Sequence, residues 1–328
     1  MDETRGLLDL IIRRLPGVSL AKKIQLCGIF TRETDLTTLT PRDIDNILGT
    51  SYKSWDMDVL RREAEADERN CRLRGISFVS YSESAYPPLL RELYDPPVVL
   101  FYRGLLPDPV QPLLAVVGTR KPTGTAAAET YDIARVLGNA GIPVVSGLAL
   151  GIDAMAHRGN LDGGGGTIGV LGCGLDRIYP AGNRALARKI LDRQGALCGE
   201  YPPGTLPHRW HFPARNRIIA GLARGTLVVE APASSGALIT AQFALEQGRD
   251  LWVTRGALFS PQGEGTLKLA QEGAGVISGG EEILAEWGLD LSKVDSHRIK
   301  PDTIDTIKER PEGAKLAYSL ARTLNITL

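Results

Sequence analysis

The sequence predicts an α/β fold, a doubly wound and mostly parallel sheet preceded by a small all-α domain. Three observations carry this expectation. From Leu113 onward, apolar runs recur at 113–117, 142–145, 167–171, 197–198, 226–229, 251–253 and 275–277. They are rich in β-branched residues and apolar throughout, as strands buried on both faces must be. Helical stretches separate most of them, the alternation of an extended Rossmann-like sheet covered on both sides. Residues 1–72, by contrast, show helical spacing and little β pattern.

Taken in order, Leu7, Leu8, Leu10, Ile11 and Leu15 form one apolar stripe that stops at Pro16-Gly17, and Leu20, Ile24 and Ile29 continue the pattern. Leu15-Pro16-Gly17-Val18 resembles the hairpin of a helix-hairpin-helix or SAM-like module, although a Pro-Gly connector needs no ligand. Thr40-Pro41-Arg42-Asp43 reads as a Thr-capped helix start with Pro at the first helical position, ending near Gly49. Residues 56–72 read as a heavily charged helix, either with a solvated face or as a linker helix. Apolar strands at 76–79 and 98–102, with a Pro-Pro-started helix between them, extend the edge of the main domain. The expected divisions are 1–72, 73–288 and a tail, 289–328.

The chain of 328 residues carries 38 basic and 38 acidic side chains, so any polyanion binding must come from a local patch. Cys27, Cys71, Cys173 and Cys198 show no C-x-x-C spacing, which disfavours a zinc site and a disulfide framework and implies free thiols in a reducing cytoplasm. No apolar run approaches the ~20 residues needed to span a bilayer. A soluble cytoplasmic protein is expected, with no membrane association.

The strand tips point to chemistry. They read Gly118-Thr119-Arg120-Lys121, Ser146-Gly147-Leu148-Ala149-Leu150-Gly151, Gly172-Cys173-Gly174, Glu230-Ala231 with Ser234-Ser235-Gly236, and Arg255-Gly256. In a parallel sheet these tips share the carboxyl edge, where small residues, backbone amides and helix starts favour phosphate. The stretch 212–222 adds a helix with an apolar face at Ile218, Ile219 and Leu222 and with Arg215, Asn216 and Arg217 in its first turn. Positions 201–229 hold no acidic residue, but do hold Arg209, Arg215, Arg217 and Arg224. A phosphate-binding crevice with Arg120, Lys121, Arg215, Arg217 and Arg255 on its rim follows.

Familiar phosphate ligands fit poorly. Gly172-x-Gly174 lacks the third glycine of a dinucleotide fingerprint because position 177 is Arg, and Gly118 to Gly124 with Thr125 lacks the Walker lysine. No cofactor is expected. Asp153 and His157 share a helix face, either as an acid/base or metal pair or as an Asp supporting a His, and no third metal ligand is nearby. Glu200 and Glu230 end apolar strands, as catalytic carboxylates or as partners of Arg215 or Arg217. On a regular helix Arg215 shares the stripe of Ile218, Ile219 and Leu222 while Arg217 points away. Arg215 is therefore expected to take the structural share, through Glu200 or Glu230, with Arg120 completing the anion site.

Together these motifs resemble the bacterial DNA-processing protein A family (DprA/Smf). The residues that carry the resemblance are Gly118-Thr119-Arg120, Ser146 through Asp153 with Ala156-His157, Gly172 through Pro180 with Asn183, Phe212 through Leu222, Glu230-Ala231 with Ser235 through Thr240, and Gly248-Arg249. The resemblance spans roughly residues 75–288, and the N-terminal helices look like the SAM-like domain many members carry. It implies a non-catalytic protein that binds single-stranded DNA and helps load RecA in natural transformation, working as a homodimer. It assigns DNA contact to Arg120 and to basic and aromatic residues after the Tyr-Pro, matched by Tyr179, Asn183 and Arg184. The family pattern is broken at Arg255 and Leu267, and the tail is short for the winged helix some members add. The expected contact set is Gly118, Thr119, Arg120, Lys121, Ser146, Gly147, Gly172, Gly174, Tyr179, Asn183, Arg184, Arg215, Asn216, Arg217, Ser235 and Gly236.

Single-stranded DNA needs spaced cations and stacking platforms, and Tyr179, Tyr201, Trp210, His211 and Phe212 lie beside the basic loops. The rival reading is a nucleotide-processing enzyme of phosphoribohydrolase type with Glu200 or Glu230 as acid or base, but its Pro-Gly-Gly-x-Gly-Thr loop is missing. A protein-interaction scaffold is a third. Self-association through the Rossmann-like domain is expected from helix 236–246, where Leu238, Ile239, Phe243 and Leu245 occupy much of the circumference, a pattern that burial against the sheet alone also explains.

Overall fold

The computed structural model describes residues 3–49 and 56–289. The tail from 290 on, and with it the winged-helix expectation, lies outside the described residues. Five helices come first: α1 (Glu3–Arg14), α2 (Leu20–Ile29), α3 (Glu33–Thr37), α4 (Pro41–Leu48) and α5 (Met57–Leu73). Local chemistry sets their ends. Ser19 caps α2, Thr40 and Asp43 form a capping box on α4, Asp56 caps α5, and Gly49 closes α4 at a φ of 64°.

The antiparallel pair β1 (Ser77–Ser80) and β2 (Val99–Gly104) follows, with the short α6 (Pro88–Arg91) between them. Alternation then takes over: β3 (Leu114–Val117), α7 (Gly124–Asn139), β4 (Val144–Ser146), α8 (Ile152–Asp162), β5 (Ile168–Val170), α9 (Arg184–Asp192), β6 (Ala196–Gly199), α10 (His211–Leu222), β7 (Gly225–Val228), α11 (Ala237–Glu246), β8 (Asp250–Thr254), α12 (Glu264–Gln271), β9 (Gly275–Ile277) and α13 (Gly280–Glu286). The strands lie in the order β1-β2-β6-β5-β4-β3-β7-β8-β9, parallel from β6 to β9 and antiparallel where β2 joins β1 and β6. Each apolar run predicted as a strand is one. β4 starts later than its run because Ile142 is held by the end of α7: its N–H donates to Leu137 O at 2.8 Å and its carbonyl accepts from Asn160 Nδ2 at 2.9 Å.

Side-chain alternation divides the interior. Val99 and Phe101 of β2 point into a core shared with Leu8, Ile11, Leu26 and Leu60 of the N-terminal helices and with Leu197. Leu100 points the other way, into a core with Tyr86, Val145, Ile218, Val228 and Ala241. Met1–Trp287 form one compact unit, because α1 uses the sheet hairpin as a wall of its own core. Truncating a ring such as Phe101, fully buried there, removes about 3–5 kcal/mol.

Strand order also locates the ligand edge. Strands run β3-β4-β5-β6 to one side and β7-β8-β9 to the other, so the connections diverge between β3 and β7. Such a switch point leaves a crevice beyond the carboxyl ends.

Candidate nucleic-acid interface

A crevice of about 650 Å³ opens at that switch point. The β3 loop supplies Gly118, Thr119, Arg120 and Lys121, and the β7 loop supplies Ser234, Ser235 and Gly236, which lead into α11. Helix α10 and the residues before it supply Arg209, Phe212, Pro213, Arg215 and Asn216, while Tyr179 and Asp153 close the remaining side. Four cations, Arg120, Lys121, Arg209 and Arg215, thus face one lining carboxylate, Asp153. Arg120, Lys121 and Arg209 are exposed, and among the described residues none of the three is engaged in an ion pair. The first turn of α11 adds its partial positive charge.

The loop after β4 forms the floor. Arg215 donates through Nη1 to Gly147 O at 3.0 Å and to Val170 O. Asp153, at the start of α8, accepts from the N–H groups of Gly147 (3.1 Å) and Ala149 (3.2 Å). Gly147 has to be glycine: a Cβ there would lie 2.6 Å from Arg215 Nη2 and 2.9 Å from Asp153 Oδ2. Leu148, fully buried, adopts a φ of 56°, which costs roughly 1–2 kcal/mol for a side chain of this kind. Asn183 holds it there by donating from Nδ2 to Leu148 O at 2.9 Å and Ala149 O at 3.0 Å. Burial pushes the Asp153 carboxyl up, opposed by Arg215, and pushes the Arg215 guanidinium down, opposed by Asp153. The two form a buried pair that shapes the floor.

Arg217 behaves differently. It is buried on another side of α10, where Nε donates to Asp95 Oδ2 at 3.0 Å and Nη2 donates to both Glu200 oxygens at 2.9 and 3.0 Å. Its carboxylate partners hold the guanidinium above its ordinary pKa against burial. Arg13 of α1 donates to Glu200 O at 3.4 Å, so this ionic cluster extends to the N-terminal helices. The expectation that Arg215 pairs with Glu200 or Glu230 is therefore corrected. Glu200 pairs with Arg217, which leaves the crevice lining, and Glu230 is buried while accepting from Thr123 N (2.9 Å), Thr123 Oγ1 (3.1 Å) and Ser260 Oγ.

The family model of DNA recombination-mediator protein A matches residues 77–288. The chain belongs to that family. It is 42% identical over 218 residues to the DNA processing protein DprA of Bacillus subtilis, covering 66% of this chain and 72% of that protein. The X-ray structure of DNA processing protein A from Streptococcus pneumoniae superposes with a TM-score of 0.70 at 34% identity, over 85% of this chain and 97% of that one. The Helicobacter pylori DNA processing protein A, whose structure is described for its single-stranded DNA binding mode, gives 0.57 at 29% identity, over 65% and 95% respectively.

Within this DNA processing protein A fold the other expected contacts separate into lining and support. Tyr179 lines the crevice, is exposed, and has its ring 5.4 Å from that of half-buried Phe212. Asn183 is buried behind the β4 loop, where its amide nitrogen shapes the loop, and it is not among the residues that line the crevice. Ser146 donates to Val116 O at 2.6 Å, and Gly172 and Gly174 are buried at the β5 tip, so these three support the floor. Arg184 opens a separate basic groove on α9 with Arg188, Lys189 and Arg193. Arg255 donates to Ser278 Oγ at 2.9 Å, outside the crevice lining.

Asp153 and His157 do not assemble as an acid/base pair. The Thr167 hydroxyl donates to Val144 O, so His157 Nδ1–H donates to Thr167 Oγ1 at 2.7 Å, and burial beside Arg215 pushes the ring down to about 3, where it stays neutral. The four thiols are buried and free, with that of Cys198 pushed up to about 12 by burial. Among the described residues no His, Cys, Asp and Glu group has the makings of a metal site, and no helix is long and apolar enough to cross a membrane. Sequence reasoning left out Arg209 and Asp153 as lining residues. Arg209 was visible in the acid-free stretch, but only the fold turns it toward Arg120.

Proposed function

We propose that the crevice binds the phosphates of single-stranded DNA and that the protein is a non-catalytic cytoplasmic recombination mediator that loads RecA onto incoming strands in natural transformation. The observation that carries this is the convergence of Arg120, Lys121 and Arg209, exposed and among the described residues without carboxylate partners, over a floor held by Arg215. Spaced cations of this kind track a flexible phosphate chain. Family membership and the single-strand binding described for the Helicobacter pylori relative support the same ligand. The carboxylates a hydrolase would need support the non-catalytic part: Glu200 is spent on Arg217, and Glu230 on a hydroxyl and amide cradle. Homodimerisation through the Rossmann-like domain draws on the exposed Leu245, Phe259 and Leu267, and sedimentation at graded concentrations tests it.

Salt titration of single-stranded against double-stranded oligonucleotide binding tests the ligand. With about four phosphates contacted, log K falls against log salt with a slope of roughly −3 for the single strand. A flat salt response, or equal affinity for duplex, sinks the reading. RecA loading is tested by filament assembly on single strands coated with a single-strand-binding protein, where the expected result is faster assembly when this protein is added.

A further inference from the structure

We infer that the segment Tyr201 to His211 carries a base-stacking platform at the mouth of the crevice, formed by Trp210 on His208, which seats one unpaired base of the strand whose phosphate meets Arg209. The inference rests on the single-stranded DNA reading and adds to it a second kind of contact, at a place distinct from the phosphate crevice. Trp210 is 62% exposed. Its indole lies parallel to the His208 imidazole, with 4.7 Å between centroids and 7° between planes. The face of the indole turned away from His208 is a broad apolar surface of the kind on which a planar ring can stack.

The platform is held before any ligand arrives. His211 meets both rings edge-on, His208 at 5.1 Å and 88° and Trp210 at 6.0 Å and 82°, and it is itself stacked on Tyr201 at 4.0 Å. His211 Nδ1–H donates to Gly172 O at 3.1 Å, which ties the group to the β5 tip. A ring fixed in this way loses little freedom when a base lands on it. The neighbour in sequence, Arg209, lines the crevice, whereas Trp210 does not. Adjacent residues therefore divide the labour, with a cation turned to the phosphate track and an indole turned outward. A stacked face accepts any base, so the platform adds affinity without sequence preference, and it excludes duplex, whose base faces are already covered.

The test uses a short oligodeoxythymidylate and the same strand with one abasic site moved position by position. Trp210→Ala is expected to weaken binding about 5- to 100-fold with the salt slope unchanged, since no charge is removed, and Trp210→Phe to recover most of the loss. Arg209→Ala is expected to reduce the slope by about 0.7. One abasic position should weaken the native protein and leave Trp210→Ala unaffected. If the native protein binds single strands with the expected salt slope and Trp210→Ala binds equally well, the platform is overturned and the phosphate crevice stands. If the native protein binds no single strand, both fail.

Discussion

Arg215 and Arg217 stand two positions apart on α10 and are equally buried, at 6% and 5% exposure, yet they serve different regions. Arg215 donates to two backbone carbonyls and to Asn216 Oδ1 and has one carboxylate near it, Asp153, in the floor of a crevice whose other cations are unpaired among the described residues. Arg217 is enclosed by Asp95 and Glu200, with Arg13 and Lys23 at the far side of the same cluster. A cation that is neutralised locally cements elements together. One that shares its field with other cations prepares a place for an external anion.

The contrast can be broken most sharply at the enclosed arginine. Arg217→Met leaves the partly exposed Glu200 and Asp95 carboxylates without their partner, and a loss of about 2–3 kcal/mol is expected in urea unfolding, with single-strand affinity of the folded protein within about twofold of native. A tenfold loss of affinity at native stability would move Arg217 back into the site. Next in size, Arg120→Ala removes an exposed crevice cation, so binding should weaken by about 1.5–3 kcal/mol at low salt, with the unfolding midpoint unchanged. Gly147→Ala probes the floor between the two: its Cβ displaces the Arg215 guanidinium, and about 1–2 kcal/mol of stability should go through overpacking, accompanied by weaker DNA binding.

A last test concerns pH in the enclosed cluster. Burial, with the Arg13 charge beside it, pushes Lys23 down to about 8 from its ordinary 10.5, while its ammonium donates to Arg13 O at 2.6 Å. The unfolded chain therefore holds this proton more tightly than the native one, so protonation favours unfolding and stability rises with pH between about 8 and 10.5. Urea midpoints of native and Lys23→Met proteins across that window should diverge in favour of the native chain as pH rises. Parallel curves would show that Lys23 is not coupled to the cluster.

The alternation of apolar runs, the helix cap at Thr40 and the glycine-rich strand tips were all legible because each depends on neighbours within a few residues. The assignment of the two arginines was not. A stripe of Ile218, Ile219 and Leu222 shows which face of a helix is apolar, but α10 lies on β3, β4 and β5 and is flanked by α6 and α11, so more than one of its faces is covered. On a helix enclosed in this way the stripe cannot decide which arginine meets a carboxylate. That choice depended on Asp95, 122 positions away, and on Glu200 at the end of β6.

The same limit applies to the strand edge. Composition fixed that some carboxyl edge would be rich in glycine and cations, because phosphate chemistry requires those residue types. Only the strand order, with β3 placed between β4 and β7, decided that Arg120 and Ser235 would border one opening while Arg184 and Arg255 would not. Pairing between distant strands is chosen by the burial of whole faces, and no local pattern in the chain records it.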